Sequence, residues 1–161
     1  MLLLCVLCVG VAPGQKVMLG SEDRIHGDAI LTQSIEAYLR FEDTKEWSEE
    51  GQEGFDRHLR YRATLMSEGF LFEVPETTLA EVLGTTHGNV AYVRIIEGDS
   101  KDKTGWIHGG WCNPPAGDAR DRLAAIERQE ASNALGNFCL TLAALIAVGV
   151  GAWVAVRRLG G

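Results

Sequence analysis

Residues 69–112 read GFLFEVPETTLAEVLGTTHGNVAYVRIIEGDSKDKTGWIHGGWC, and this stretch decides the fold. Apolar and polar residues alternate in four short runs, at 70–74, 78–83, 90–96 and 104–108. Turn-forming residues follow the runs, with GTTHGN and EGDSKDK as the clearest examples. Alternation with a period of two is typical of strands that bury one face. The pattern predicts four strands that close into a small antiparallel barrel.

Two motifs in this stretch carry a family resemblance. Val93, Arg94 and Ile95, with Gly98 as the turn, match a "V-R-I-x-x-G" strand, and residues 105–107 match a closing "G-W-V" strand. With these motifs the stretch resembles bacterial SH3-like domains. The resemblance implies an SH3-like β-barrel over residues 69–112 that works as a binding module.

Three aromatic residues are candidates for a ligand-binding surface. Trp106 is expected to pack in or over the barrel, and Tyr92 and Trp111 are expected to form an exposed aromatic surface. In SH3-like folds such side chains line peptide or glycan grooves, and aromatic anchors beside acids suit basic or proline-rich ligands. The alternative, that all three rings are core and rim packing, stays open.

The segments before the barrel are expected to be helical or irregular. Residues 15–53 form a lead-in with a short helix over 29–41 and an acidic loop over 42–53. That loop contains six acidic residues and one basic residue, Lys45. The acids lack the spacing of a calcium-binding loop, so a solvated surface is favoured over a cation site. Residues 54–68 predict an amphipathic helix. Its apolar stripe consists of Phe55, Leu59, Ala63 and Met66.

The amino-terminal residues are apolar and uncharged. Residues 1–12 read MLLLCVLCVGVA, a run too short to cross a bilayer and of the length of a signal-peptide core. Residues 1–14 are therefore predicted to be a signal-peptide-like segment with cleavage after Gly14. Because no basic residue precedes the leucines, an uncleaved hydrophobic terminus and a start further upstream remain alternatives.

A second uncharged run lies near the carboxyl end. Residues 138–156 read FCLTLAALIAVGVGAWVAV and, as a helix, would span roughly 28 Å. The run predicts one transmembrane helix, preceded by a juxtamembrane helix over 118–135 and followed by a tail over 157–161. Small residues recur every four positions within it, a pattern typical of self-associating membrane helices. These positions are Ala143, Ala147, Gly151 and Ala155.

Charge and cysteine content argue against several classes of function. The 161 residues carry 15 Lys and Arg against 22 Asp and Glu, a net charge of -7, whereas phosphate-backbone binding needs clustered bases. The four histidines are dispersed, so no metal, cofactor or catalytic residue is predicted. Cys112 is left unpaired once residues 1–14 are removed. It is expected either to be buried or to form an intermolecular disulfide in an oxidising compartment.

These observations predict an α+β chain: an SH3-like barrel preceded by helices and followed by a juxtamembrane and a transmembrane helix. The expected function is a single-pass, membrane-anchored binding or scaffolding module displayed outside the cytoplasm. If residues 1–14 are not a signal, the same module faces the cytoplasm. Its expected partners are the lipid bilayer, a second copy of the chain, and an unknown peptide, cell-wall or envelope protein, with no nucleic acid. There are two alternatives: a non-catalytic subunit of a larger membrane complex and, after it, a small envelope enzyme.

Overall fold

The structure, a computed structural model, describes residues 11–20, 28–86 and 89–159, without the side chains of 48, 49 and 146–159. These residues divide into two compact units, with the division between Ala119 and Arg120. The first unit is an α+β fold. Its strands are β1 (Lys16–Leu19), β2 (Asp28–Thr32), β3 (Leu71–Pro75), β4 (Leu79–Thr86), β5 (Val90–Ile95), β6 (Thr104–His108) and β7 (Cys112–Asn113). Its helices are α1 (Ile35–Asp43), α2 (Gln52–Ser67) and two 3-10 helices, Glu46–Glu50 and Gly109–Trp111.

The described strands form one antiparallel sheet in the order β3-β2-β6-β5-β4-β1-β7. The centre is the meander β4-β5-β6, which matches three of the four strand runs predicted from alternation. By contrast, β2 meets β6 at a single residue pair, Thr32 with Trp106. Strands β2 and β3 pair over five residues and form the end of the sheet beyond β6.

The inner face of the sheet holds the main hydrophobic core. Every second residue of the strands is buried there, as alternation requires. The core cluster consists of Val17, Leu19, Ala29, Leu31, Val74, Ala80, Val82, Ala91, Val93, Ile95 and Ile107. Since β2 and β3 share this core with β1 and β4, the sheet curls around it. Burying these side chains is the main stabilising term for the unit.

The sheet is curled but not closed, so the prediction of an SH3-like β-barrel is wrong. Within the described residues β3 and β7 are the two edges, and no strand pair joins them. Two more strands than predicted precede residue 69, because β1 and β2 come from the segment that was read as a lead-in. The predicted helix over 29–41 is in fact β2 followed by α1, whose N-cap is the Ser34 hydroxyl.

The two helices cover the outer face of β2 and β3. Leu65 of α2 and Phe41 of α1 pack with Ile30 and Leu71 in a second, smaller core. The helix predicted over 54–68 runs from Gln52 to Ser67, but its apolar stripe is not the buried side. Leu59 and Met66 from that stripe are each 39% exposed, whereas Leu65 is 6% exposed. The helix is therefore rotated relative to the prediction.

The predicted signal-peptide-like segment falls mostly outside the described residues. Its last four residues are described, and they belong to the folded unit. Val11 packs against the main core, and the Gly14 amide donates to the Val82 carbonyl at 2.7 Å. The structure thus joins residues 11–14 to the domain, against the prediction of a leader that ends at Gly14.

The second unit is one helix. Helix α3 (Asp118–Leu159) is continuous through residues 136–137, which separate the two helices predicted over 118–135 and 138–156. In the part of the chain that the structure describes, no helix has the length and apolarity needed to span a membrane. The prediction of a transmembrane helix over 138–156 is therefore wrong, and the localisation of the chain stays a prediction.

Candidate binding surface on strands β4 to β6

The structure brings together two of the three predicted aromatic residues. Tyr92 on β5 lies directly opposite Trp106 on β6, with ring centroids 4.8 Å apart and ring planes inclined by 32°. Trp111 lies elsewhere, packed against the main core, and its carbonyl accepts from the Gly20 amide at 2.7 Å. The aromatic surface is therefore formed by Tyr92 and Trp106, and not by Tyr92 and Trp111 as expected.

Strand alternation explains why these two rings face outward. Ala91, Val93 and Ile107 point into the main core, so the residues between them on β5 and β6 point away from it. Both rings are half-buried rather than enclosed. The Tyr92 hydroxyl donates to Thr104 Oγ1 at 2.8 Å, which fixes the orientation of the phenol ring. Tyr92 and Trp106 thus form a rigid, partly exposed aromatic pair.

A β-bulge adds a third apolar side chain to this face. The register of β4 against β5 shifts between Val82 and Gly84, which leaves Leu83 as the extra residue. Gly84 pairs with Tyr92, and a Cβ built on Gly84 would have no atom within 4 Å. Leu83 is 40% exposed. We call Leu83, Tyr92 and Trp106 the aromatic strip; it borders open space above Gly84.

A row of charged residues runs beside the aromatic strip. Lys16 on β1, Glu81 on β4 and Arg94 on β5 are cross-strand neighbours. Glu81 Oε2 lies 3.6 Å from Lys16 Nζ and also accepts from Arg94 Nη2. The hydrogen bond from Arg94 holds the pKa of the Glu81 carboxyl below its usual value; burial opposes this shift, and the charge of Lys16 supports it. We call these three residues the charged row; it has two cations and one anion.

A cleft of 540 Å³ opens next to this surface, where β3 and β6 separate beyond the end of β2. Phe72 and Met66 supply apolar walls, and Thr104 joins the cleft to the aromatic strip. Lys103 Nζ lies 5.6 Å from the centroid of the Phe72 ring, a cation–π contact. The carboxylate-bearing Asp102 also lines the cleft. The cleft and the aromatic strip are therefore linked through Thr104, and the charged row lies beside the strip.

Sequence reasoning missed most of this region apart from the two rings. The charged row depends on β1, a four-residue strand in a segment without clear alternation. Leu83 and Gly84 were read as the end of a strand and the start of a turn. A glycine inside a strand pattern is a known signal for a bulge, and it was the one clue to this site.

Outside this surface, His108 and Cys112 serve structural contacts. His108 Nδ1 accepts from the Gly110 amide at 3.1 Å and so caps the 3-10 helix. Burial raises the pKa of the Cys112 thiol to about 11, which keeps it protonated at neutral pH. Among the described residues, no group of three or more His, Cys, Asp or Glu side chains is placed to hold a metal ion.

The predicted self-association stripe is only partly described. Ala143 is exposed on α3, and the side chains at 147, 151 and 155 lie outside the described residues. Cys112 carries a free thiol and packs against the main core from β7. Its role in an intermolecular disulfide stays a prediction.

Comparisons with protein-family models, with curated proteins and with solved structures find no match to this chain. The resemblance to bacterial SH3-like domains therefore stays a prediction, and the case for a function depends on the geometry of the surface itself.

Proposed function

We propose that this protein is a non-catalytic binding module that holds an extended segment of another protein on the outer face of β4, β5 and β6. The observation that carries the proposal is the paired, half-buried state of Tyr92 and Trp106. Large aromatic side chains dominate binding energy where they are accessible and held in place. This pair meets both conditions.

The rigidity of the pair supports the proposal energetically. Association costs free energy when flexible side chains become ordered, and a pre-ordered anchor avoids much of that cost. Tyr92 is restrained by its hydrogen bond to Thr104, and Trp106 is packed beside it. The open space above Gly84 gives a ligand room to approach both Leu83 and the Tyr92 ring.

An extended polypeptide suits this surface better than a compact small molecule. The aromatic strip lies on an open face of the sheet rather than in an enclosed cavity, so the surface is shallow. Small-molecule sites are usually enclosed and bury most of the ligand surface. Extended segments instead dock apolar side chains on aromatic-lined grooves.

The proposal is tested by panning the full-length chain against a random dodecapeptide library displayed on phage. Selected peptides are then synthesised and titrated against wild type, Trp106→Ala and Phe70→Ala. Phe70 is a matched control because its ring is 47% exposed and lies on the α1–α2 side of the unit. We expect Trp106→Ala to weaken binding about tenfold or more and Phe70→Ala to leave it within about twofold. Peptides that bind Trp106→Ala as well as wild type would refute the proposal, provided that both variants keep the wild-type circular dichroism.

A second candidate function is a subunit of a larger assembly, and the second unit favours it. Several large apolar side chains of α3 are exposed, and exposed apolar patches commonly mark interaction sites. They are Leu135, Phe138, Leu140, Leu142 and Leu145. Native electrophoresis of a cell extract that contains the tagged full-length chain distinguishes the two functions. A discrete high-mass band supports the subunit, and a band at the mass of the free chain supports the module.

A further inference from the structure

We infer that the ligand of this surface is an acidic segment in which a carboxylate side chain lies two residues from an apolar or aromatic one. The inference rests on the proposed function and specifies its ligand. It is drawn from the spacing between the aromatic strip and the charged row. It replaces the basic or proline-rich ligand expected from the sequence with an acidic one.

The two rows are parallel and a fixed distance apart. Along β5, Tyr92 belongs to the aromatic strip and Arg94 to the charged row, with one inward-facing residue between them. Two residues of a strand span about 7 Å. An extended ligand has the same repeat, so a segment lying along β5 places residues i and i+2 over Tyr92 and Arg94 together. An acid–x–apolar spacing, in either direction, fits this pair of contacts.

The charge beside the strip favours an anion. The charged row carries two cations against the single carboxylate of Glu81, within a chain whose net charge is -7. Lys103 adds a further ammonium at the neighbouring cleft, where Asp102 is the opposing acid. Lys103 and Asp102 balance each other, so the charged row leaves one net positive charge beside the strip, and a carboxylate on the ligand is attracted to it.

Arg94 is the cation that the surface presents to a ligand. Its side chain is 46% exposed, compared with 24% for Lys16 and 18% for Glu81. A guanidinium has five N–H donors, and Arg94 donates to Glu81 Oε2 through Nη2. Arg94 can therefore bind a second carboxylate. When a ligand carboxylate also binds Arg94, Glu81 keeps its ion pair with Lys16. Ligand binding therefore leaves no unpaired carboxylate on this face.

The experiment reads the sequences selected from the same dodecapeptide library and then measures their affinities for three variants. Arg94→Gln removes the cation from the charged row, and Lys101→Gln removes one cation from the exposed β5–β6 loop, so the two variants have the same net charge. Glu81→Gln removes the carboxylate that competes for Arg94. All three replacements are at exposed or partly exposed positions and leave the aromatic strip intact.

We expect the selected peptides to be enriched in Asp or Glu two residues from an apolar or aromatic residue. Arg94→Gln should lower the affinity for these peptides about tenfold, which is the loss typical of one charged hydrogen bond. The affinity of Lys101→Gln for the peptides should stay within about twofold of the wild-type value. Glu81→Gln should bind the peptides more tightly than wild type does. Neutral or basic peptides that depend on Trp106 but not on Arg94 would overturn this inference and leave the proposed function standing. Peptides that depend on neither residue would overturn both.

Discussion

Tyr92 and Trp106 occupy one cross-strand pair of the β5–β6 ladder, and their rings approach to 4.8 Å on the face of the sheet that the main core does not use. A pair of this kind contributes roughly 0.5–1.5 kcal/mol beyond its buried area. It also orders two large side chains before any ligand arrives. The same contact therefore serves the stability of the sheet and the proposed binding of a partner.

The join between β2 and β6 depends on a glycine. A Cβ on Gly105 would lie 2.9 Å from Leu31 Cβ and 3.1 Å from the Thr32 carbonyl oxygen. We predict that Gly105→Ala lowers the free energy of unfolding by about 1–3 kcal/mol, the usual cost of overpacking. Urea unfolding followed by far-ultraviolet circular dichroism measures the change.

Gly84→Ala is the matched control for that substitution, since it is also a strand glycine but has no atom within 4 Å of the added methyl group. Its unfolding free energy should equal or slightly exceed that of wild type. Equal losses for the two variants would contradict a close contact between β2 and β6.

An ion pair fastens α2 to the edge strand β3. Arg62 donates to Glu73 Oε1 through Nε at 3.0 Å and also through Nη2, and the Arg62 side chain is only 11% exposed. Glu73→Ala removes this carboxylate from a largely buried guanidinium. We predict a loss of about 1.5–3 kcal/mol in unfolding free energy.

Glu42→Ala serves as the comparison, because it breaks an i, i+3 pair with Lys45 whose side chains are 30% and 39% exposed. Exposed pairs of this kind contribute under about 1 kcal/mol. If urea unfolding gave the two variants the same midpoint, the Arg62–Glu73 pair would not be what holds α2 against the sheet.

The charged row makes stability depend on pH on the acid side. Because Arg94 lowers the folded-state pKa of Glu81, the carboxylate stabilises the fold above its unfolded-state pKa, and this contribution is lost as pH falls through the folded-state value. We predict that wild type exceeds Glu81→Gln in unfolding free energy at pH 6 by under about 1 kcal/mol, since the pair is partly exposed. The difference should shrink toward pH 3. A constant difference over this range would contradict the assigned ion pair.

The Cys112 thiol is predicted to react slowly. Because burial raises its pKa to about 11, little thiolate exists at pH 8, and alkylation requires the thiolate. Iodoacetamide labelling followed by peptide mass spectrometry should show Cys112 modified on the order of 100-fold more slowly than an unperturbed thiol. The exposed Cys139 of the same chain is the internal reference. Equal rates at both positions would show that Cys112 is accessible and leave the intermolecular disulfide as the better explanation of its role.

The local elements of the sheet were predictable where alternation was long. Runs near residues 78–83, 90–96 and 104–108 correspond to β4, β5 and β6. These features depend on residues close in sequence. Strand propensity and turn chemistry are therefore enough to locate them.

The arrangement of the sheet was not predictable from the same signals. β1 and β2 are four and five residues long, and four of the five residues of β2 are buried, so neither strand shows alternation that can be told from a helix. Which strands become neighbours depends on long-range packing around the main core. The open sheet and the position of Trp111 follow from that packing.

Only part of the binding surface was predictable, because its arrangement also depends on long-range packing. Tyr92 and Trp106 stand out by residue type, but their pairing is set by the register across an eight-residue connection, 96–103. The charged row requires three strands in register, one of which was not expected. Alternation along β5 alone puts Arg94 on the same face as Tyr92, whereas the register across the strands brings Glu81 and Lys16 beside Arg94.

The most direct test of the central claim is a nuclear magnetic resonance titration of the full-length, ¹⁵N-labelled chain with a peptide selected from the dodecapeptide library. The account predicts that the indole N–H signal of Trp106 and the backbone amides of Leu83, Tyr92 and Arg94 shift on binding. The indole signal of Trp111, packed against the main core, should stay in place. Shifts confined to the helices, or to Trp111 and β7, with the Trp106 signal unchanged, would contradict the assignment of the aromatic strip as the binding surface.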